Sequence, residues 1–198
     1  IYLDNAEIDY LAKELLSIQY QLSGIISGNV FVNSKGKKTI SGEIQITNGL
    51  IDNNEVLIAV SDFFGIPSLK RINFSNLKVN FQKLWDKYNA EIRLFAKDIE
   101  VFLSSGFLVD KVIDGYLSVK LSTSLMDESP RFKRLFKYIG YKEPTVSFPF
   151  KLKGYADRPR IEWLQNEFKE KLQDFLSEAN KRLLQEELNK VVEDLVNN

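Results

Sequence analysis

The sequence predicts an α+β fold, mainly antiparallel β: a curved multi-stranded sheet with short covering helices and a long C-terminal amphipathic helix. Two observations argue for sheet. Apolar residues alternate with polar ones in several segments, as in Leu117, Val119 and Leu121 and again in Val146, Phe148, Phe150 and Leu152. That is the period of a strand with one apolar face. The chain also holds 14 Phe and 8 Tyr, which suit a pleated surface. The third observation is a change of period. From Ile161, apolar residues recur every three or four positions through Leu164, Phe168, Leu172, Phe175, Ala179 and Leu183, which is helical spacing.

Taken in order, residues 4–16 carry Ile8, Leu11, Ala12 and Leu15 at helical spacing, with Asp4 or Asn5 able to cap. Strand-like alternation follows through Leu22, Val30 and Val32, and NSKGKK at 33–38 reads as a turn. Ile40, Ile44 and Ile46 share a strand face, and Asn48-Gly49 is a turn dipeptide. Residues 52–64 read as a short helix capped by Asp52 or Asn53 and stopped by Gly65 and Pro67. In the next strand Leu77, Val79 and Phe81 share a face, and the offset from Phe74 to Leu77 predicts a bulge. Residues 90–103 supply one or two strands and 115–122 another. A helix is expected over 130–139, with Pro130 in its first turn. In the strand 146–154, Pro149 cannot donate a ladder bond, so it predicts an edge or bulge. The domain division is a sheet region, 1–160, and a helix, 161–198, packed on it or docking a partner. Residues 161, 172 and 183 repeat every eleven positions, which suits a nearly straight helix.

Composition excludes several chemistries. There is no Cys and no His, so disulfides, thiol nucleophiles and imidazole bases are out. Glycines lie at strand ends and not in a phosphate-binding loop, and carboxylate pairs such as Asp127–Glu128 sit in polar surroundings. No catalytic residue, cofactor or metal site is expected. The 27 basic and 27 acidic side chains balance, so no overall field draws nucleic acid. Charge is nevertheless uneven. Residues 131–160 hold nine Lys and Arg against two acids, and 161–198 hold five against nine. Two solvated, complementary faces account for this; a basic strip that meets lipid phosphates is the sharper reading.

The series ISGEIQITNGLI (40–51), FFGIPSLKRINFSNLKVNF (63–81), VDKVIDGYLSVKLS (109–122) and VSFPFKLKGYADRPRIEW (146–163) resembles the C-terminal region of AsmA-like proteins, related to the TamB- and YhdP-type envelope proteins. Phe148-Pro149-Phe150 with Gly154 and Pro159 fits the family's closing segment; KYNAEIR (87–93) departs from it, lacking the usual turn glycine. The resemblance implies a non-catalytic periplasmic module with an apolar β-groove for phospholipid transport between inner and outer membrane. It also implies inner-membrane anchoring by an N-terminal segment absent from this chain, which begins at Ile1 and reads as a fragment or processed product. The expected lipid-facing residues are Leu77, Val79, Phe81, Leu117, Val119, Leu121, Val146, Phe148, Phe150 and Leu152. The alternative is a closed scaffold whose C-terminal helix, through Leu164, Phe168, Leu172, Phe175, Leu183 and Leu188, binds another envelope protein or a copy of itself.

Overall fold

The computed structural model describes residues 2–7, 21–33, 39–84, 87–108, 112–155 and 158–196. Among these residues, nine strands form one sheet in which every pairing is antiparallel and spatial order follows sequence order. They are β1 (Tyr2–Glu7), β2 (Gln21–Asn33), β3 (Thr39–Asp52), β4 (Arg71–Leu84), β5 (Lys87–Ala96), β6 (Ile99–Leu108), β7 (Val112–Ser122), β8 (Thr145–Tyr155) and β9 (Arg158–Trp163). The helices are α1 (Glu55–Phe64), α2 (Thr123–Met126), α3 (Pro130–Ile139), α4 (Gln165–Gln173) and α5 (Glu178–Val196), with a 3₁₀ turn at Pro67–Lys70. The antiparallel α+β class is as the alternation predicted.

The meander has a polarity. The β4–β5, β6–β7 and β8–β9 joints lie at one end, while α1 with the 3₁₀ turn, and α2 with α3, lie at the other. Helices therefore gather at one end of one face. Gly65 and Gly140 close α1 and α3 in left-handed conformations, φ 67° and 62°, which glycine adopts without a Cβ clash. Asn54, not Asp52 or Asn53, caps α1: its Oδ1 accepts the N–H groups of Val56 and Leu57. Asp52 is still paired in β3, opposite Arg71.

Ser129 caps α3 and also ties it to α1. Its hydroxyl donates to the Phe64 carbonyl at 2.5 Å and accepts the Phe132 N–H at 3.4 Å, all fully buried. Ser129→Ala removes the cap and leaves a buried carbonyl short of a donor. It is expected to lower stability by about 1–3 kcal/mol, read from the urea midpoint.

A line of irregularities crosses the sheet. The β2–β3 register shifts between Ser23 and Ile25, Asn48 has φ 51°, and the β4–β5 register shifts between Phe74 and Asn76. The bulge expected between Phe74 and Leu77 is therefore present. Asn48-Gly49 is not a turn but a kink inside β3. A Cβ at Gly49 would overlap the Phe74 ring and the Ser23 carbonyl, so glycine is there for close approach.

Two further expectations are corrected, and a third holds locally. Residues 4–7 belong to β1, paired with β2, and not to a helix; the rest of the stretch 4–16 lies outside the described residues. Local periodicity carried no information about the β2 edge that this segment pairs with. Pro149 marks a local edge: β7 pairs with the whole of β8, while β9 pairs only with Phe150–Tyr155 and leaves Thr145–Pro149 without a strand on that side. Its carbonyl accepts the Leu164 N–H at 3.0 Å, at the point where β9 ends, so its nitrogen faces a side that needs no ladder donor there. The single helix from 161 is two helices. Ile161 is in β9 opposite Leu152, helix begins at Gln165, and the chain breaks between Gln173 and Glu178. Ser177 caps the second helix, its Oγ accepting the Asn180 N–H.

Candidate functional site: one apolar sheet face

Register fixes which side chains share a face. Ile26, Ile46, Leu77, Leu94, Val101, Val119 and Phe148 stand opposite one another in turn, a single row across β2–β8. All seven are buried. The next row runs through Ile44, Val79, Ile92, Leu103, Leu117, Phe150 and Trp163. The row beyond holds Gly42, Phe81, Ala90, Ser105, Gly115 and Leu152. The sequence-expected apolar lane thus exists as one continuous face.

Its cover is uneven. Leu117, Val119, Leu121, Val146, Phe148, Phe150 and Leu152 are fully or almost fully buried. Phe148 stacks on Phe168 of α4 at 4.7 Å and meets Phe64 of α1 and Phe132 of α3 edge-on. Phe150 meets Phe63, and Trp163 lies between Phe63, Phe132 and Phe168. Over β7–β8 this is a closed aromatic core, not an open groove. The reason is that α1, α3 and α4 each aim phenylalanines at it. Toward β2–β5 cover thins. Leu77 is still buried, Val79 and Phe81 are half-buried, as are Ile40, Ile44 and Ile92, and Val32 is 62 % exposed. Ser105 adds a buried hydroxyl with no hydrogen-bond partner among the described residues. Ser105→Ala is expected to be neutral or slightly stabilising, within about 1 kcal/mol, by thermal melting.

The hollows of the sheet open on the other face. A depression of about 660 Å³ is lined by Phe31, Glu43, Asn80, Gln82, Asn89 and Glu91, and one of about 370 Å³ by Arg93, Phe95, Glu100, Phe102 and Lys120. These residues alternate with the apolar rows, and Phe31, Phe95 and Phe102 stand among the polar groups, so the hollows are mixed in polarity. Alternation showed which residues share a face but not where the hollows lie.

The expected docking residues divide. Phe168, Leu172 and Leu188 are buried in the core and Leu164 is half-buried, whereas Phe175 is 59 % exposed and Leu183 40 %. Leu184 and Val191 are buried instead, because the break before Glu178 resets the helical phase. α5 packs on α3, where Glu187 takes both Arg134 and Lys190.

α4 runs beside the part of β8 that β9 leaves unpaired. The Tyr116 hydroxyl donates to Glu167 at 2.7 Å, and Lys171 bonds the same carboxylate at 2.8 Å. Burial and the Glu167 contact push the Tyr116 hydroxyl pKa up. Burial alone would raise the Glu167 carboxyl, but the bonds from Lys171 and Tyr116 outweigh it and hold the group below its ordinary value. A carboxylate with a depressed folded pKa stabilises the fold above its unfolded pKa, and that support is lost as pH falls through the folded value. Glu167→Gln is therefore expected to flatten the acid side of the stability–pH curve, read from urea midpoints across acid and neutral pH.

Among the described residues, no helix is long and apolar enough to cross a membrane, and no group of three or more Asp or Glu is placed to hold a metal ion. No protein-family model, curated protein or solved structure matches the chain.

Proposed function

We propose that this chain is a non-catalytic module that handles phospholipid acyl chains, with helices capping one end of an apolar sheet face. One observation carries the reading: cover on that face falls from complete at Phe148 and Val119 to partial at Val79 and Phe81, and Val32 stands largely exposed. An apolar strip continuous with a closed core accepts chains without catalytic groups. Each methylene buried there contributes about 0.8 kcal/mol. The resemblance to AsmA-like proteins supports a periplasmic setting in a diderm envelope and a role in moving lipid toward the outer membrane. Of the ten residues expected to face lipid, only Val79 and Phe81 keep that role. Leu77, Leu117, Val119, Leu121, Val146, Phe148, Phe150 and Leu152 belong to the capped core.

The test is photo-crosslinking in cells with lipid extraction of the purified chain. A crosslinker at Phe81 or Val32 is expected to capture lipid, and one at Phe148 is not. No lipid at any of the three positions, with none co-purifying, sinks the proposal.

The second reading is a scaffold that docks an envelope protein or a second copy. Phe175 and Leu183 favour it, because they are large apolar groups left in solvent on the helical layer. Phe175→Ser with Leu183→Ser would then lose a partner in pull-downs from envelope extracts without changing the melting temperature.

A further inference from the structure

The uneven charge along the chain concentrates on α3. Phe132, Leu135, Phe136 and Ile139 face the core, which turns Lys133, Arg134, Lys137 and Tyr138 outward, and exposed Lys142 follows the helix. Several lysines elsewhere are matched to carboxylates, Lys70 to Asp62, Lys120 to Glu100, Lys151 to Asp114 and Lys153 to Glu162, while exposed Lys78 and Lys87 stand apart from each other on the sheet. Lys133, Lys137 and Lys142 have no carboxylate within salt-bridge distance among the described residues. Tyr138 is 55 % exposed, with the Arg134 guanidinium 5.4 Å from its ring. The nearest acid across the helix seam, Glu187, is buried and already shared by Arg134 and Lys190. Glu186 and Glu193 sit on the side of α5 away from its buried residues Leu184, Leu188 and Val191.

We infer that this stripe, Lys133, Lys137 and Tyr138 continued by Lys142, docks on an anionic phospholipid surface. Lys133 and Lys137 stand one turn apart on one helix face and present two unmatched ammonium groups side by side to headgroup phosphates, whereas unmatched Lys78 and Lys87 lie singly on separate strands. An exposed tyrosine beside them has the apolar body and polar tip that sit at a membrane–water boundary. The stripe takes headgroups and lies apart from the acyl-binding face, so it does not rest on that reading. A chain that docks but carries no acyl chain keeps this inference and loses the other.

The experiment is co-sedimentation of the full chain with phosphatidylcholine vesicles, with and without phosphatidylglycerol. Binding is expected only to the anionic vesicles and weakens as salt is raised. Lys133→Gln with Lys137→Gln is expected to lower partitioning about 25-fold, from roughly five-fold per lysine. Lys78→Gln with Lys87→Gln, two exposed lysines on β4 and β5, leaves it unchanged. Far-UV melting shows that both variants fold. No dependence on phosphatidylglycerol, or equal loss in the two double variants, overturns the inference.

Discussion

Phe148→Ala is expected to lower stability by about 3–5 kcal/mol, by loss of transfer free energy and by the cavity it leaves. Few side chains here join so many elements. On β8, Phe148 touches Phe64 of α1, Phe132 and Phe136 of α3, and Phe168 of α4. These rings come from segments far apart in sequence, so collapse of the cavity would need several elements to move together. Against a total of about 5–15 kcal/mol for a domain, such a loss threatens the fold at body temperature. Phe31→Ala is the contrast. Phe31 is 63 % exposed on the polar face, and its removal is expected to shift the urea midpoint by no more than about 0.5 kcal/mol. Equal losses at both positions would mean that the aromatic core is not the main store of stability.

Removing residues 165–198 is expected to abolish the folded monomer. The deletion takes away Phe168, Leu172, Leu184, Leu188 and Val191, all buried. At about 1.5–3 kcal/mol each, their burial rivals the whole net stability. It also bares the ring of Phe148, the back of α3, and the edge of β8 from Thr145 to Pro149 that α4 runs beside. An uncovered apolar edge pairs with other chains. Size-exclusion chromatography should show aggregate or soluble oligomer in place of a monomer peak. A truncated chain that stays monomeric and melts sharply would make α4 and α5 an appendage, and would favour the docking role for them.

Much of this architecture was legible. Strand parity in 115–122 and 146–154 was correct residue by residue, since a half-buried strand must alternate. The bulge near Phe74 was visible as a broken parity. Helix α3 matched its predicted span, because Pro130 and Gly140 punctuate both ends. The misreadings share a cause. Asn48-Gly49 looked like a turn, yet the strand continues because β2 and β4 flank it and hold its ladder bonds. The C-terminal stripe looked unbroken because helical spacing crosses 174–177 by coincidence of phase. The cap signal at Ser177, followed by Glu178, was the clue that periodicity overrode.

The candidate site was half legible. Its ten residues do lie on one face, and pleating alone determines that. Whether a face is open depends on what is folded onto it, and that is decided by contacts between residues scores of positions apart. Phe64, Phe132 and Phe168 come from three different helices to close the β7–β8 end, while no helical phenylalanine among the described residues stacks over Val32, Val79 or Phe81. By itself, then, the sequence determined the fold class, the sharing of faces and the absence of Cys- and His-based chemistry. These follow from local periodicity and composition. Only the tertiary structure decided which part of the apolar face is core, which face is hollow, and which lysines are left without partners. Those depend on distances in space that no local pattern encodes.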